Sequence, residues 1–260
     1  MKHTLRFLIL TALIITLGGC AAFKKRNDPT YIGPFVGISN VYQPAGLPAN
    51  LQRVAVLPLV PARGNRDAER GVPLIKQIFA EEFSRARVFD VVVVSPRHLD
   101  QLTGVRALHA DSPLPVDFVE NIRRGTACEA ILFAELPTYR AYPPVAVGWK
   151  LHLFNLESEQ LIWAVDEVFD TGQAPVANAL RRHMRENLSP NNVAPTEIIV
   201  LDSPRELARF SLGALISTII QNNPKVSLNT AEGTFRQSGS GTPGAGIIPT
   251  PSGAEPPESP

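Results

Sequence analysis

At 260 residues, 44% of them hydrophobic and 19% charged, the chain has room for one globular domain together with terminal extensions. Its 25 basic and 24 acidic side chains nearly cancel, so nothing in its charge suggests a nucleic-acid partner.

The chain opens with Lys2 and Arg6 and then an apolar run over residues 7–17. That run is well short of the ~20 residues needed to span a bilayer, and it reads as the core of a cleaved signal. It ends in Leu17-Gly18-Gly19-Cys20, which resembles the lipobox of bacterial lipoproteins. The resemblance implies that Leu17, Gly18 and Gly19 are read by the lipoprotein signal peptidase. It implies also that Cys20 is diacylated on sulfur and then acylated on its freed amine. Acyl chains in that number make a stable anchor in a lipid bilayer. Ala21, standing where the family places aspartate for inner-membrane retention, implies the outer membrane, with the domain facing the periplasm. The plainer alternative is a secretory signal with a cysteine placed there by chance. With Cys20 lipidated, Cys128 is the remaining thiol, and no intramolecular disulfide is possible. Its place before the apolar run at 130–133 suits a small buried hydrophobe.

From Cys20 to residue 50 the chain carries Pro29, Pro34, Pro44, Pro48, Gly33, Gly37 and Gly46 with no helical period, after a basic start at Lys24, Lys25 and Arg26. It reads as an extended tether reaching at most ~100 Å. Tyr31, Phe35 and Tyr42 are candidates to dock part of it on the folded domain. Composition then shifts. Residues 54–60 form a continuous apolar run suited to a strand buried on both faces, with Pro58 at its end or on an edge. A polar loop over 63–70 leads to a helix from about Val72, in which Ile75, Ile78, Phe79, Phe83 and Ala86 share one face and Pro73 falls in the first turn. Residues 89–94, rich in valine, predict a second buried strand that stops at the Ser95-Pro96 helix cap. The short helix that follows ends before Gly104.

Pro115 opens a further helix through Val116, Val119 and Ile122, closed by Arg123, Arg124 and Gly125. Residues 130–136 are the third buried strand, so strand, helix, strand, helix, strand predicts a sheet that is at least partly parallel. Val145, Val147, Trp149, Leu151 and Leu153 then alternate with polar or small residues, the period of a half-exposed strand. After the polar turn at 157–160, residues 161–169 return antiparallel. A basic helix is predicted over 175–186, then a loop over 187–202 containing the apolar piece 198–201. Ser203-Pro204-Arg205-Glu206 is a capping box with proline at the first helical position. The helix from Pro204 to about Gln221 is apolar on nearly every side in its second half, which suits a place inside the core better than one lying on a membrane. The fold class expected is therefore one mixed α/β domain over 51–221, with helices packed in two or three layers on a sheet of about five strands. A tail over 222–260, rich in proline, glycine and serine, cannot bury enough surface to order itself.

The phrase Arg87-Val88-Phe89-Asp90-Val91 leading into Ser95-Pro96, and a hairpin whose second arm carries Leu161-Ile162-Trp163, resemble a group of envelope lipoproteins. That group includes the CsgG-like curli-secretion lipoproteins, the lipoprotein activators of penicillin-binding proteins, and the N-terminal domain of TolB. Those families often place glycine before the tryptophan strand, where this chain has Glu159 and Gln160. Curli-type channels also need alternating hairpins of about ten residues per arm for a membrane barrel. Residues 141–155 and 170–201 do not supply them, so the resemblance favours the soluble members.

No catalytic constellation is visible. The histidines are scattered, no Gly-x-Ser-x-Gly elbow occurs, and no phosphate-binding glycine loop follows a strand. His98 and His109 flank a loop with Asp100 and Asp111, a set that suits a metal in principle but reads as solvated loop. The expectation is a protein without enzymatic activity, cofactor or metal. Two candidate interaction surfaces stand out. Arg181, Arg182 and Arg185 on the basic helix suit an acidic partner or an anionic envelope polymer, against the simpler reading of a solvated face. Tyr139 and Tyr142, beside Pro143 and Pro144, suit a recognition loop, or else the sealing of a core edge. The function expected is that of an adaptor or assembly factor in the cell envelope. A subunit of a CsgG-like secretion channel and a binder of a small envelope solute are the alternatives.

Overall fold

The computed structural model describes residues 38–44, 46–187 and 201–221. The lipobox residues Leu17, Gly18, Gly19 and Cys20, the tether before residue 38, the apolar piece of the 187–202 loop up to Val200, and the tail over 222–260 lie outside them.

The chain enters the domain through β1 (Val41–Tyr42), a two-residue strand paired antiparallel with a later one. Backbone pairing and the packing of Ile38 and Val41 on the core dock this end of the tether, while the Tyr42 ring stays half exposed. Next come β2 (Arg53–Val56) and β3 (Val60–Pro61), the expected apolar run broken in two around Pro58. Helix α1 (Arg66–Ala86) starts six residues before the predicted position, so most of the expected polar loop is helical. The reason is a cap. The Asn65 side chain accepts from the backbone N–H groups of Asp67 and Ala68 at 3.1 and 3.0 Å, and Ala68 is already buried. Pro73 therefore lies inside the helix, not in its first turn.

Strand β4 (Asp90–Val93) is at the edge of the sheet, and this corrects the prediction of a strand buried on both faces. Val93 is exposed, and burial is left to its neighbours Phe89 and Val94. Helix α2 (Pro96–Thr103) is capped by Ser95 and closed by Gly104 in the left-handed region, as its sequence dictates. Helix α3 (Phe118–Thr126) begins three residues after Pro115, leaving Val116 almost fully exposed. Ala127, at φ 52°, supplies its left-handed cap in place of Gly125, which is inside the helix.

Strand β5 (Ala130–Leu136) is followed by β6 (Tyr139–Arg140) and by the hairpin β7 (Ala146–Asn155) and β8 (Leu161–Asp170). Among the described residues two long helices follow: α4 (Ala174–Asn187) and α5 (Pro204–Gln221). All eight strands among the described residues join one mixed sheet in the order β1-β8-β7-β5-β2-β4, with β3 on β5 and β6 on β7. The pairs β2–β4, β2–β5 and β3–β5 are parallel, and the hairpin side is antiparallel. Five strands are of four residues or more, as expected, and three two-residue strands extend them.

The sheet separates two apolar layers. On one face, Val54, Val56, Leu132, Trp149, Leu151, Trp163 and Val165 meet α1 through Ile75, Ile78, Phe79 and Phe83, and meet α5 through Leu207, Leu212, Leu215 and Ile219. The α5 helix is thus a core helix, held under two indoles. Trp149 Nε1 donates to Ser211 Oγ at 2.8 Å and Trp163 Nε1 donates to Thr218 Oγ1 at 3.0 Å. On the other face, Ala55, Leu57, Ile131 and Phe133 meet α2 and α3 through Leu99, Phe118 and Ile122. Toward the hairpin this second face opens. Lys150, His152 and Phe154 are half-buried, and Asp166 and Val168 are exposed.

Candidate functional site

Cys128 is 2% exposed, and burial, opposed by a bond to the Thr126 carbonyl, pushes its thiol above the usual range. It behaves as the small hydrophobe that its setting implied, since a thiol held protonated is a poor nucleophile.

The two tyrosines separate. Tyr139 is buried against α1, where its ring fills the space beside Gly71, so it seals a core edge. Tyr142 is 81% exposed on the loop between β6 and β7. That loop is pinned at its base: Arg140 Nη2 donates to Asp170 Oδ1 at 2.6 Å, and Arg140 Nε donates to the Pro144 carbonyl. The arginines of α4 are not one solvated stripe. Arg181 and Arg182 are half-buried and Arg185 is exposed, with Arg181 Nη1 donating to Asn178 Oδ1 at 2.9 Å. Because α4 starts at Ala174, just after the turn that holds Asp170, these arginines are about 10–16 Å along the helix from its first residue.

The second sheet face holds a further polar group. Glu135 near the end of β5 projects on the same side as Phe133, and its Oε2 is 3.0 Å from Nδ1 of His109. Both side chains are largely buried, at 16% and 19% exposure. Asp111 joins them: one ligand-type atom from each of His109, Asp111 and Glu135 falls within 4.8 Å of the others. Of the four loop residues weighed from the sequence, only two take part. Asp100 instead pairs with Arg106 at 3.1 Å. Glu135 could not be found by spacing, because it comes from a strand 24 residues after Asp111 that meets the loop only in the folded sheet.

Around this cluster stand two cations. Arg63 reaches Asp111 at 3.2 Å and donates to Ser112 Oγ at 2.7 Å, while Lys150 is in register opposite Glu135 on β7. Desolvation would raise the Asp111 carboxyl, but the charges of Arg63 and Lys150 outweigh it and hold that carboxyl below its ordinary range. Farther along the same face a cavity of about 200 Å³ opens between α3 and β7, lined by Leu114, Phe118, Val119, Phe133, Phe154 and Leu156.

No protein-family model and no curated protein matches this chain. Among solved structures, it is similar to a PelC dodecamer from Paraburkholderia phytofirmans at 13% identity and a TM-score of 0.35, covering 67% of this chain and 96% of that one. It is similar also to the lipoprotein GNA1162 from Neisseria meningitidis, at 11% identity and a TM-score of 0.31, covering 71% and 99%. The LpoB C-terminal domain from Escherichia coli matches at 15% identity and a TM-score of 0.30, over 45% of this chain and 81% of that one. TM-scores this low carry nothing from those proteins to this chain.

Proposed function

We propose that this chain is a lipoprotein of the bacterial envelope, anchored in the outer membrane by acylated Cys20, whose periplasmic domain acts as a non-enzymatic adaptor or assembly factor. The observation that carries the reading is Leu17-Gly18-Gly19-Cys20 at the end of a short apolar run behind Lys2 and Arg6. Two features of the fold agree with it. Among the described residues no helix is long and apolar enough to cross a membrane. The apolar α5 is used up inside the core, leaving the anchor to lipid. An adaptor also needs surface that its own helices leave free, and the hairpin half of the second sheet face, with Asp166 and Val168 exposed, is such a surface.

The channel alternative asks for membrane hairpins from 141–155 and 170–201. Residues 146–155 are committed to the sheet between β5 and β8, and 174–187 are helical. The solute-binding alternative has the cavity beside α3 in its favour. The test replaces Cys20 by serine in cells fed labelled palmitate. The native chain should carry label, fractionate with outer membranes and crosslink to an envelope protein; Cys20→Ser should lose the label and the membrane fraction. A native chain with an unmodified thiol defeats the anchor. Hydrolase activity in the purified protein, with no crosslinked partner, defeats the adaptor role.

A further inference from the structure

We propose that His109, Asp111 and Glu135 form a binding site for a divalent transition-metal ion, with zinc as the best fit. This goes beyond the adaptor reading and does not depend on the lipid anchor. One imidazole nitrogen and two carboxylate oxygens are the donor set that first-row divalent ions accept, whereas calcium and magnesium prefer oxygen alone. Zinc ligand atoms sit ~2.0–2.2 Å from the ion, so neighbouring donors in a tetrahedral site are about 3.3–3.5 Å apart. The 3.0 Å between His109 Nδ1 and Glu135 Oε2 is already close to that bite, and Asp111 falls within 4.8 Å.

The framework is fixed on both sides. Glu135 stands between the buried Ala134 and Leu136, in register with Val60 of β3 on one side and Lys150 of β7 on the other. His109 follows the buried Leu108, and its carbonyl accepts from Ser112 N–H at 3.1 Å, which closes the loop into a turn. The Glu135 carboxylate is 16% exposed, and its burial is offset by His109 at 3.0 Å, which holds both donor atoms in place before any ion arrives. Asp111, by contrast, is exposed, so the ion has a route in and at least one coordination position left for water.

Without the ion, Arg63 and Lys150 balance the two carboxylates. The Arg63–Asp111 pair is 61% and 53% exposed, and pairs of that kind are weak enough to exchange for a metal bond. Lys150, half-buried and on a flexible stem, can turn its ammonium to water. The Glu135 carboxylate can only accept, so in the metal-free protein the His109 ring proton on Nδ1 points to it. On metal binding that proton sits on Nε2, freeing the Nδ1 lone pair for the ion.

The full-length protein, purified in detergent and stripped with a chelator, is titrated with zinc alone against a fluorescent zinc indicator, and with magnesium alone as a second arm. We expect one zinc per chain and no magnesium at equal concentration. Glu135→Gln, His109→Gln and Asp111→Asn should each weaken zinc at least tenfold. Arg63→Ala should bind as tightly as the native chain or more tightly, because it releases Asp111. Melting curves without metal identify any variant that fails to fold, and Asp111→Asn, on an exposed loop, keeps the comparison intact. Absence of stoichiometric zinc in the native chain overturns the proposal. So does native-like affinity in Asp111→Asn, or weakened zinc binding in Arg63→Ala.

Discussion

Gly71 and Gly125 are glycines because other side chains occupy the space a Cβ would take. At Gly71 an added Cβ would be 2.4 Å from Cγ of the buried Tyr139 ring, and at Gly125 it would be 2.5 Å from a Leu102 methyl. A ring wedged under a helix has nowhere to go, whereas a leucine end can rotate. Gly71→Ala should therefore cost about 1–3 kcal/mol in denaturant unfolding, and Gly125→Ala distinctly less. Pairing Gly71→Ala with Tyr139→Leu should recover part of the loss. Gly125 looked like a helix terminator in the sequence because nothing there says that α2 and α3 touch. Two titrating residues act on stability in opposite senses. Burial, then the charge of Lys150, holds the His152 imidazole below its ordinary 6.5, so the unfolded chain takes up this proton first. Stability should fall as pH drops from 6.5 toward the folded value, and His152→Gln should flatten that part of a melting-temperature profile. Burial holds the Glu82 carboxyl above its ordinary 4.5 despite Arg85, so its contribution is present below 4.5 and is lost as pH rises through the folded value.

At the scale of elements, the sequence is most legible where period and cap agree. Helices α2 and α5 start at Ser95-Pro96 and Ser203-Pro204 as the capping residues dictate, and β5 covers the residues its apolar run marks. It is least legible where a neighbour decides the outcome. The valines of β4 read as interior, but strand order leaves them at an edge, and local composition carries no information about order. The start of α1 was hidden because residues 66–70 are mostly charged and only the Asn65 cap betrays a helix. Asn65→Ala should cost about 1 kcal/mol and loosen the first turns of α1, seen as faster amide exchange there. The bonds between α5 and the sheet had a readable signal that residue pattern alone did not exploit. A buried indole needs an acceptor, and Ser211 and Thr218, seven residues apart, share one face of α5. Ser211→Ala leaves the Trp149 N–H buried without that partner and should destabilise by about 1–3 kcal/mol, with a shifted tryptophan emission. Thr218 itself is only half-buried, which makes Thr218→Val the milder change.

For the whole molecule, the proposed lipid anchor rests on four consecutive residues, and the metal-type cluster has no contiguous signal at all. Leu17 to Cys20 can be read in order, whereas His109, Asp111 and Glu135 come together only because the loop before α3 folds back over β5. Topology has a mechanical consequence as well. The lead from the N-terminus joins the sheet through the two residues of β1 and through Glu167, whose carboxylate accepts from the backbone N–H groups of Ser39 and Asn40. In a chain held at Cys20, load from the bilayer reaches this seam before it reaches β2. Because the seam is an edge strand, it can peel before any interior strand parts, uncovering only the places where Ile38 and Val41 rest on the core. Freeing residues 38–44 would give a line of at most about 25 Å when extended, so in a chain anchored at Cys20 this seam would act as a release catch that yields before the body it carries.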